Sequence, residues 1–218
     1  MKDLKNIFVG KSTEVIRVLL VSYPKEWRLR ELAKESGVSL RLAAVAAGAL
    51  IRERLALRAS PRSELKVMAP LDLLKRWATV NNFAANTKFI EYYSGEEDVS
   101  KFLASFKGKK GPEYVFTGLA GALLVAPFVR PTNVHLYVKN EEDAKKWAEL
   151  LSLMPVEGNG NVKFAIANNK NVFYGAREVN GATVVSAIQL YVDLLNYPGR
   201  GEEAAGEVYK TIEKQWKI

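Results

Sequence analysis

The sequence predicts an α+β protein in which an N-terminal winged helix-turn-helix precedes a mixed α/β domain. Three observations carry that expectation. Two short helix-forming stretches, Leu29 to Ser36 and Leu40 to Arg54, flank Gly37-Val38-Ser39. Gly37 can adopt the left-handed backbone that ends a helix, and Ser39 is a natural N-cap for the next one. Two strand-like stretches follow, Leu55 to Arg58 and Leu65 to Met68, joined by a Ser/Pro loop. From about Val80 onward, strand and helix patterns interleave. The expected boundaries are residues 1–69 for the winged helix-turn-helix, 70–79 for a linker helix and 80–218 for the mixed α/β domain.

Each element has a local reason. Ser12 to Ser22 places Val15, Ile16, Leu19 and Leu20 at helical spacing, with Ser12 as the expected cap. Tyr23-Pro24 ends it, because proline disfavours helix at the preceding residue. Trp27 is expected in the core. The second helix of the motif should bury Ala43, Ala46, Ala47 and Leu50 and turn Ser39, Arg41, Leu42 and Val45 outward. Pro70 to Thr79 is a helix with Leu73, Leu74 and Trp77 on its apolar side. Lys88 to Tyr93 alternates like a strand, and Glu96 to Phe106 is a helix led by three acids. Phe116 to Val125 reads as an apolar helix closed by Pro127. A strand at Asn133 to Lys139, a helix at Glu141 to Leu151 and a strand at Val162 to Ala167 follow. The loop Asn168 to Asn171 is expected to form a hairpin with a strand at Val172 to Tyr174. Asn180-Gly181 marks a tight turn between Glu178-Val179 and Ala182 to Val185. Ser186 with Gln189 is a capping box opening a helix to Leu195, and Glu202 to Trp216 is the last helix.

The chain has 218 residues, 48% hydrophobic and 26% charged, enough for an ordinary folded core. No apolar run reaches the roughly 18 residues of a membrane span, so no membrane partner is expected. The first residues, MKDLKNIFVGKSTE, lack a signal peptide's apolar stretch and cleavage site. Cysteine is absent, which removes disulfides, thiolate zinc sites and thiol nucleophiles. A cytoplasmic location is the expectation.

The net charge of +8 is unevenly placed. Residues 1–78 hold sixteen basic and eight acidic side chains, and residues 79–218 hold sixteen of each. The whole excess falls on the part that reads as a winged helix, the footprint of a nucleic-acid-binding module. Double-stranded DNA is therefore the expected partner. Ser39 and Arg41 are the side chains early in the second helix that can reach base edges. Most contacts should go to phosphate, from Arg28, Arg30 and Arg41 and from Arg58, Arg62 and Lys66 of the hairpin. An alternative is that the small-residue helix, AAVAAGAL, packs against another protein or a second copy. A homodimer is thus left open.

Chemistry is harder to find. His135 is the single histidine, which excludes histidine triads and helical histidine metal pairs. The glycines of Glu157 to Asn161 lack a following Lys-Ser or Lys-Thr and read as a turn. Phe116-Thr117-Gly118-Leu119-Ala120-Gly121-Ala122, followed by Arg130-Pro131-Thr132 and the strand Asn133 to Val138, resembles the opening motif of the nucleotidyltransferase fold. That motif requires aspartates on the strand to hold magnesium. None is present, so a degenerate nucleotidyltransferase-like fold is one alternative, and neither catalysis, cofactor nor metal is expected.

The C-terminal stretch from Ser186 to Leu194, followed by Gly199 to Ala205, together with Tyr114 to Gly118, resembles the AbiEi-like antitoxins of type IV toxin–antitoxin systems, also described as transcriptional regulators. The resemblance implies an N-terminal DNA-binding domain that represses its own operon. It also implies a C-terminal domain that neutralises a nucleotidyltransferase-like toxin. The matching residues Gln189, Asp193 and Arg200 would then be partner-binding, with Gly201 beside them. Their structural alternative is that Gln189 caps its helix, Gly201 makes a turn, and Asp193 pairs with Arg200. A protein-interaction module that binds a partner without reading DNA is the rival function.

Overall fold

The computed structural model describes residues 7–128, 130–168 and 170–218. The chain divides into two compact units, one reaching to Asn81 and taking in Trp216–Ile218, the other Asn82–Gln215. No helix among the described residues is long and apolar enough to cross a membrane. The start of the segment weighed as a signal peptide, residues 1–6, lies outside the described residues.

The first unit opens with α1 (Ser12–Val21), α2 (Leu29–Glu35) and α3 (Leu40–Arg52). An antiparallel hairpin of β1 (Ala56–Leu57) and β2 (Lys66–Val67) follows, then α4 (Pro70–Val80). Gly37 takes φ +64° between α2 and α3, a conformation that glycine adopts without steric cost. The Ser39 hydroxyl accepts a hydrogen bond from the Leu42 N–H and caps α3. Ala43, Ala46, Ala47 and Leu50 are all buried, and α3 packs against α2. Trp27 is buried and exchanges backbone hydrogen bonds with Leu65, so the chain entering α2 is tied to the hairpin. Two expectations change. Ser12 does not cap α1, because Lys11 before it is already helical and makes no side-chain cap. The helix expected as a linker over residues 70–79 is counted in the first unit: it buries Leu73, Leu74 and Trp77, and the Trp77 ring lies 5.2 Å from the Arg17 guanidinium of α1.

The second unit is built on a mixed sheet, seven-stranded among the described residues. Its strands are β3 (Lys88–Tyr93), β4 (Tyr114–Thr117), β5 (Val134–Val138), β6 (Met154–Pro155), β7 (Val162–Ile166), β8 (Arg177–Val179) and β9 (Ala182–Val184). They lie in the order β6-β3-β7-β5-β4-β9-β8. The helices are α5 (Phe83–Asn86), α6 (Val99–Ala104), α7 (Gly118–Val125), α8 (Glu141–Leu150), α9 (Ala187–Leu194) and α10 (Gly201–Trp216). Alternation along the strands separates two faces. One carries Tyr92, Phe116, Val134, Leu136, Val138, Val162 and Phe164, which form an apolar core with Phe102, Leu103, Phe106 and Trp147. The other face carries a polar row, because Glu91, Lys163, His135 and Thr117 fall on one register line across β3, β7, β5 and β4.

Some stretches differ from expectation. Phe116 to Val125 is not one helix: β4 runs through Thr117, and Gly118 at φ +58° turns the chain into α7. Val172 to Tyr174 is not a strand, since a 3-10 turn occupies Lys170–Phe173. Asn169, in the loop expected to start that hairpin, lies outside the described residues. The three acids before α6 precede the helix rather than begin it, and Asp98 caps it by accepting from the Ser100 and Lys101 N–H groups. α5 and β6 were unforeseen because each is too short to show a period. At Asn180-Gly181 both residues take positive φ, 55° and 84°, as a tight turn between β8 and β9 requires.

Gly201 opens α10 in a confined space. A Cβ added there would stand 2.6 Å from the Leu194 carbonyl oxygen and 2.8 Å from the Tyr197 Cβ. Gly201→Ala is therefore expected to destabilise the fold by about 1–3 kcal/mol. Urea titration should show a lower midpoint with an unchanged slope.

Candidate nucleic-acid interface

The expected DNA-contacting residues fall into three groups. Arg28, Arg30, Arg58 and Arg62 line one open groove of about 680 Å³, together with Leu29, Leu40, Ala44, Pro61 and Ser63. The groove lies where the starts of α2 and α3 meet the hairpin loop. Ser39 and Arg41 are exposed at the start of α3 but do not line it. Lys66 belongs to a neighbouring hollow of about 380 Å³, shared with Glu26, Glu64, Arg28 and Arg62.

Their electrostatic states differ. The Lys66 ammonium is paired with Glu26 at 3.2 Å, and the Arg28 guanidinium with Glu64 at 3.6 Å. Both pairs are exposed, and such pairs contribute roughly 0–1 kcal/mol each. Arg58 is half-buried and donates to the Ser63 carbonyl at 2.9 Å and to the Pro61 carbonyl, so it shapes the loop as well as charging it. Arg30, Arg41 and Arg62 are exposed, and among the described residues their guanidinium groups have no ion-pair partner. Two of these cations, Arg30 and Arg62, thus line the concave surface, and Arg41 stands exposed at the start of α3. The Ser39 hydroxyl is already committed to the Leu42 N–H, which leaves it less free to read a base.

The sequence places Val45 on the outward face of α3 but does not single out Leu40 and Ala44 as part of this surface. Leu40 and Ala44 line the groove, and Val45 is 52% exposed one step along α3. The signal was present in the helical spacing, where Arg41, Ala44, Val45 and Gly48 share a face.

The residues singled out near the C-terminus stand elsewhere. Asp193 is 1% exposed and Gln189 3% exposed, both in α9. The Thr117 hydroxyl donates to Asp193 Oδ2 at 2.6 Å, the Tyr137 hydroxyl to both carboxylate oxygens at 3.2 Å, and the Gln189 amide to Oδ1 at 2.7 Å. Only half of the capping box forms: Ser186 Oγ accepts from the Gln189 N–H, while the Gln189 side chain turns to Asp193. Asp193 and Arg200 do not pair. Arg200 is exposed, binds Glu203 at 2.7 Å and stacks over the Phe128 ring at 5.5 Å. Of the three residues offered as partner-binding, Arg200 alone reaches the surface; Gln189 and Asp193 are spent inside the unit, joining α9 to β4 and β5.

His135 lies beside this network, 2% exposed, with Phe83, Phe89 and Tyr197 rings within 5.8 Å of its own. Tyr197 Oη meets its Nε2 at 3.2 Å, and Nδ1 has no hydrogen-bond partner among the described residues. Burial, aided by the Lys163 charge and opposed by Glu91, lowers the imidazole pKa to about 4.

The sequence model of one protein family matches residues 66–214; that family is described as a transcriptional regulator, AbiEi antitoxin, of type IV toxin–antitoxin systems. The match starts at β2 and runs through the second unit. No curated protein and no solved structure gives a match.

Two outcomes follow from the buried groups. Asp193→Ala strands three buried donors and should cost about 3 kcal/mol or more in denaturant unfolding, whereas Arg200→Ala should stay within about 0.5 kcal/mol. For His135 the folded-state pKa, about 4, lies below the ordinary 6.5, so between these values the unfolded chain binds the extra proton. Stability should therefore be whole above about pH 6.5 and fall by about 3 kcal/mol as pH drops towards 4. His135→Phe should flatten that fall when unfolding is followed at pH 7 and pH 4.5.

Proposed function

The chain belongs to the AbiEi antitoxin family of type IV toxin–antitoxin transcriptional regulators, and from that membership we propose that it binds double-stranded DNA and represses its own operon. In this reading the first unit is a winged helix-turn-helix, with α3 as the recognition helix and the β1–β2 hairpin as the wing. The observation that carries it is a set of guanidinium groups without an ion-pair partner among the described residues: Arg30 and Arg62 in the groove between α2, α3 and the hairpin loop, and Arg41 exposed at the start of α3. Free cations beside a concave surface attract a polyanion, and a helix whose start is exposed can enter a major groove. The placement of the entire charge excess in residues 1–78 supports the same reading. A twofold operator would call for a homodimer.

The second unit is read as the part that meets a nucleotidyltransferase-like toxin, and as non-enzymatic. β5 carries no carboxylate, and the Asp193 oxygens are taken by Thr117, Tyr137 and Gln189. A protein-interaction module that does not read DNA is the rival, favoured by exposed Leu40, Val45, Leu57 and Met68 on the first unit. Capture of a toxin without any shift of upstream DNA would decide for the rival.

The test is binding of the full chain to DNA from upstream of its own gene, followed by fluorescence anisotropy across a salt series. Affinity should fall steeply with salt, with a log–log slope of about −0.9 per phosphate contacted. Arg30→Ala, Arg41→Ala and Arg62→Ala should each make the slope shallower by about 1. Lys66→Ala should change it less, because its ammonium is already shared with Glu26. Binding that ignores ionic strength would count against the proposal.

A further inference from the structure

The outward stripe of α3 is unusual for a surface bordered by cations. Arg41, Ala44, Val45, Gly48 and Arg52 follow one another three or four residues apart along a single helical face. Arg41, Ala44, Val45 and Arg52 are exposed and Gly48 is half-buried. Arg52 folds back beside Gly48, its Nη1 3.5 Å from where a Cβ on that glycine would stand. Between the two arginines the stripe offers methyl and methylene groups alone. Leu40, 45% exposed, extends it into the groove lined by Arg28, Arg30, Arg58 and Arg62.

A side chain with no donor or acceptor cannot use the hydrogen-bonding code of base edges. One feature of the major groove remains open to it, the C5 methyl group of thymine. Resting on the DNA-binding reading above, we infer that Leu40, Ala44 and Val45 form a thymine-methyl-reading surface. The substrate class is duplex DNA with thymines clustered in the major groove opposite α3. Charge complementarity selects the occupant. A protein partner would have to bring carboxylates to Arg30, Arg41 and Arg62 as well as apolar groups to the stripe, whereas any duplex carries phosphates for the guanidinium groups on either side of a groove that holds the thymine methyls. Arg41 is the one polar side chain at the helix start placed to add a guanine or phosphate contact.

Deoxyuridine separates the two contributions, because it lacks the thymine methyl and keeps the phosphate charge and base pairing. The full chain is titrated at low salt with the duplex from upstream of its own gene, made once with thymine and once with uracil throughout. Each contacted methyl is expected to be worth about fourfold in affinity, so the uracil duplex should bind about tenfold more weakly or worse. Val45→Ser, at an exposed site, should shrink that thymine-to-uracil ratio by about fourfold. Arg41→Ala should weaken binding to both duplexes and leave the ratio intact. Equal affinity for the two duplexes, or a ratio that Val45→Ser leaves unchanged, overturns the inference while leaving DNA binding in place. Failure to bind the thymine duplex at all overturns the DNA-binding reading itself.

Discussion

The geometry of the first unit depends on the packing of α3 against α2. Alanines at positions 43, 46 and 47 are buried in α3, which packs against α2. Gly37 supplies the positive φ that reverses the chain, and Ser39 satisfies an otherwise unpaired N–H at the start of α3. With the two helices fixed, the Trp27–Leu65 backbone bridge fixes the hairpin beside them. Arginines scattered over more than thirty residues of sequence, Arg28 and Arg30 from the start of α2 and Arg58 and Arg62 from the hairpin, are thereby brought around one groove. The surface is basic by composition, and its concave part is walled by the starts of α2 and α3 and by the hairpin loop.

The second unit rests on a different device. Its sheet has one dry face and one face crossed by polar side chains, and α9 brings the Asp193 carboxylate onto the second. A buried carboxylate is tolerable when its oxygens are met by donors, and here hydroxyl and amide groups from β4, β5 and α9 converge on it. The same arrangement explains why residues that look like a binding signature in the sequence need not bind a partner. A Gln and an Asp one helical turn apart can serve a surface or an interior equally well. The Thr117 and Tyr137 hydroxyls, distant in sequence, put them inside.

Much of this was legible in the sequence, and the losses have physical reasons. The helices with a clear apolar period, α1 to α4, α8 and α10, stand where the pattern places them, and β3 spans the residues its alternation marks. The run from Phe116 to Val125 is apolar at nearly every position, so period could not divide it; the break depends on the backbone of Gly118 against His135. Elements of two to four residues, such as β6 and α5, carry no period at all. At the candidate site the identity of the cations was readable and their pairing was not. Nothing in the sequence told that Lys66 and Arg28 have carboxylates at hand while Arg30, Arg41 and Arg62 have none among the described residues.

That difference bears on how a regulator of this kind would hold its target. A cation already paired with a carboxylate must give up that partner, or share it, before it can neutralise a phosphate, and the exchange of one exposed ion pair for another yields little. An unpaired guanidinium makes no such sacrifice and releases the counterions condensed on the duplex when it arrives. Among the described cations of residues 1–78, Arg28, Lys66 and Arg76 would therefore contribute less to phosphate attraction than those outside such pairs. Phosphate attraction is blind to sequence, so discrimination between sequences falls to contacts in the groove. An apolar helix face, poor in hydrogen-bonding side chains, is then not at odds with regulation; it is the place from which discrimination would have to come.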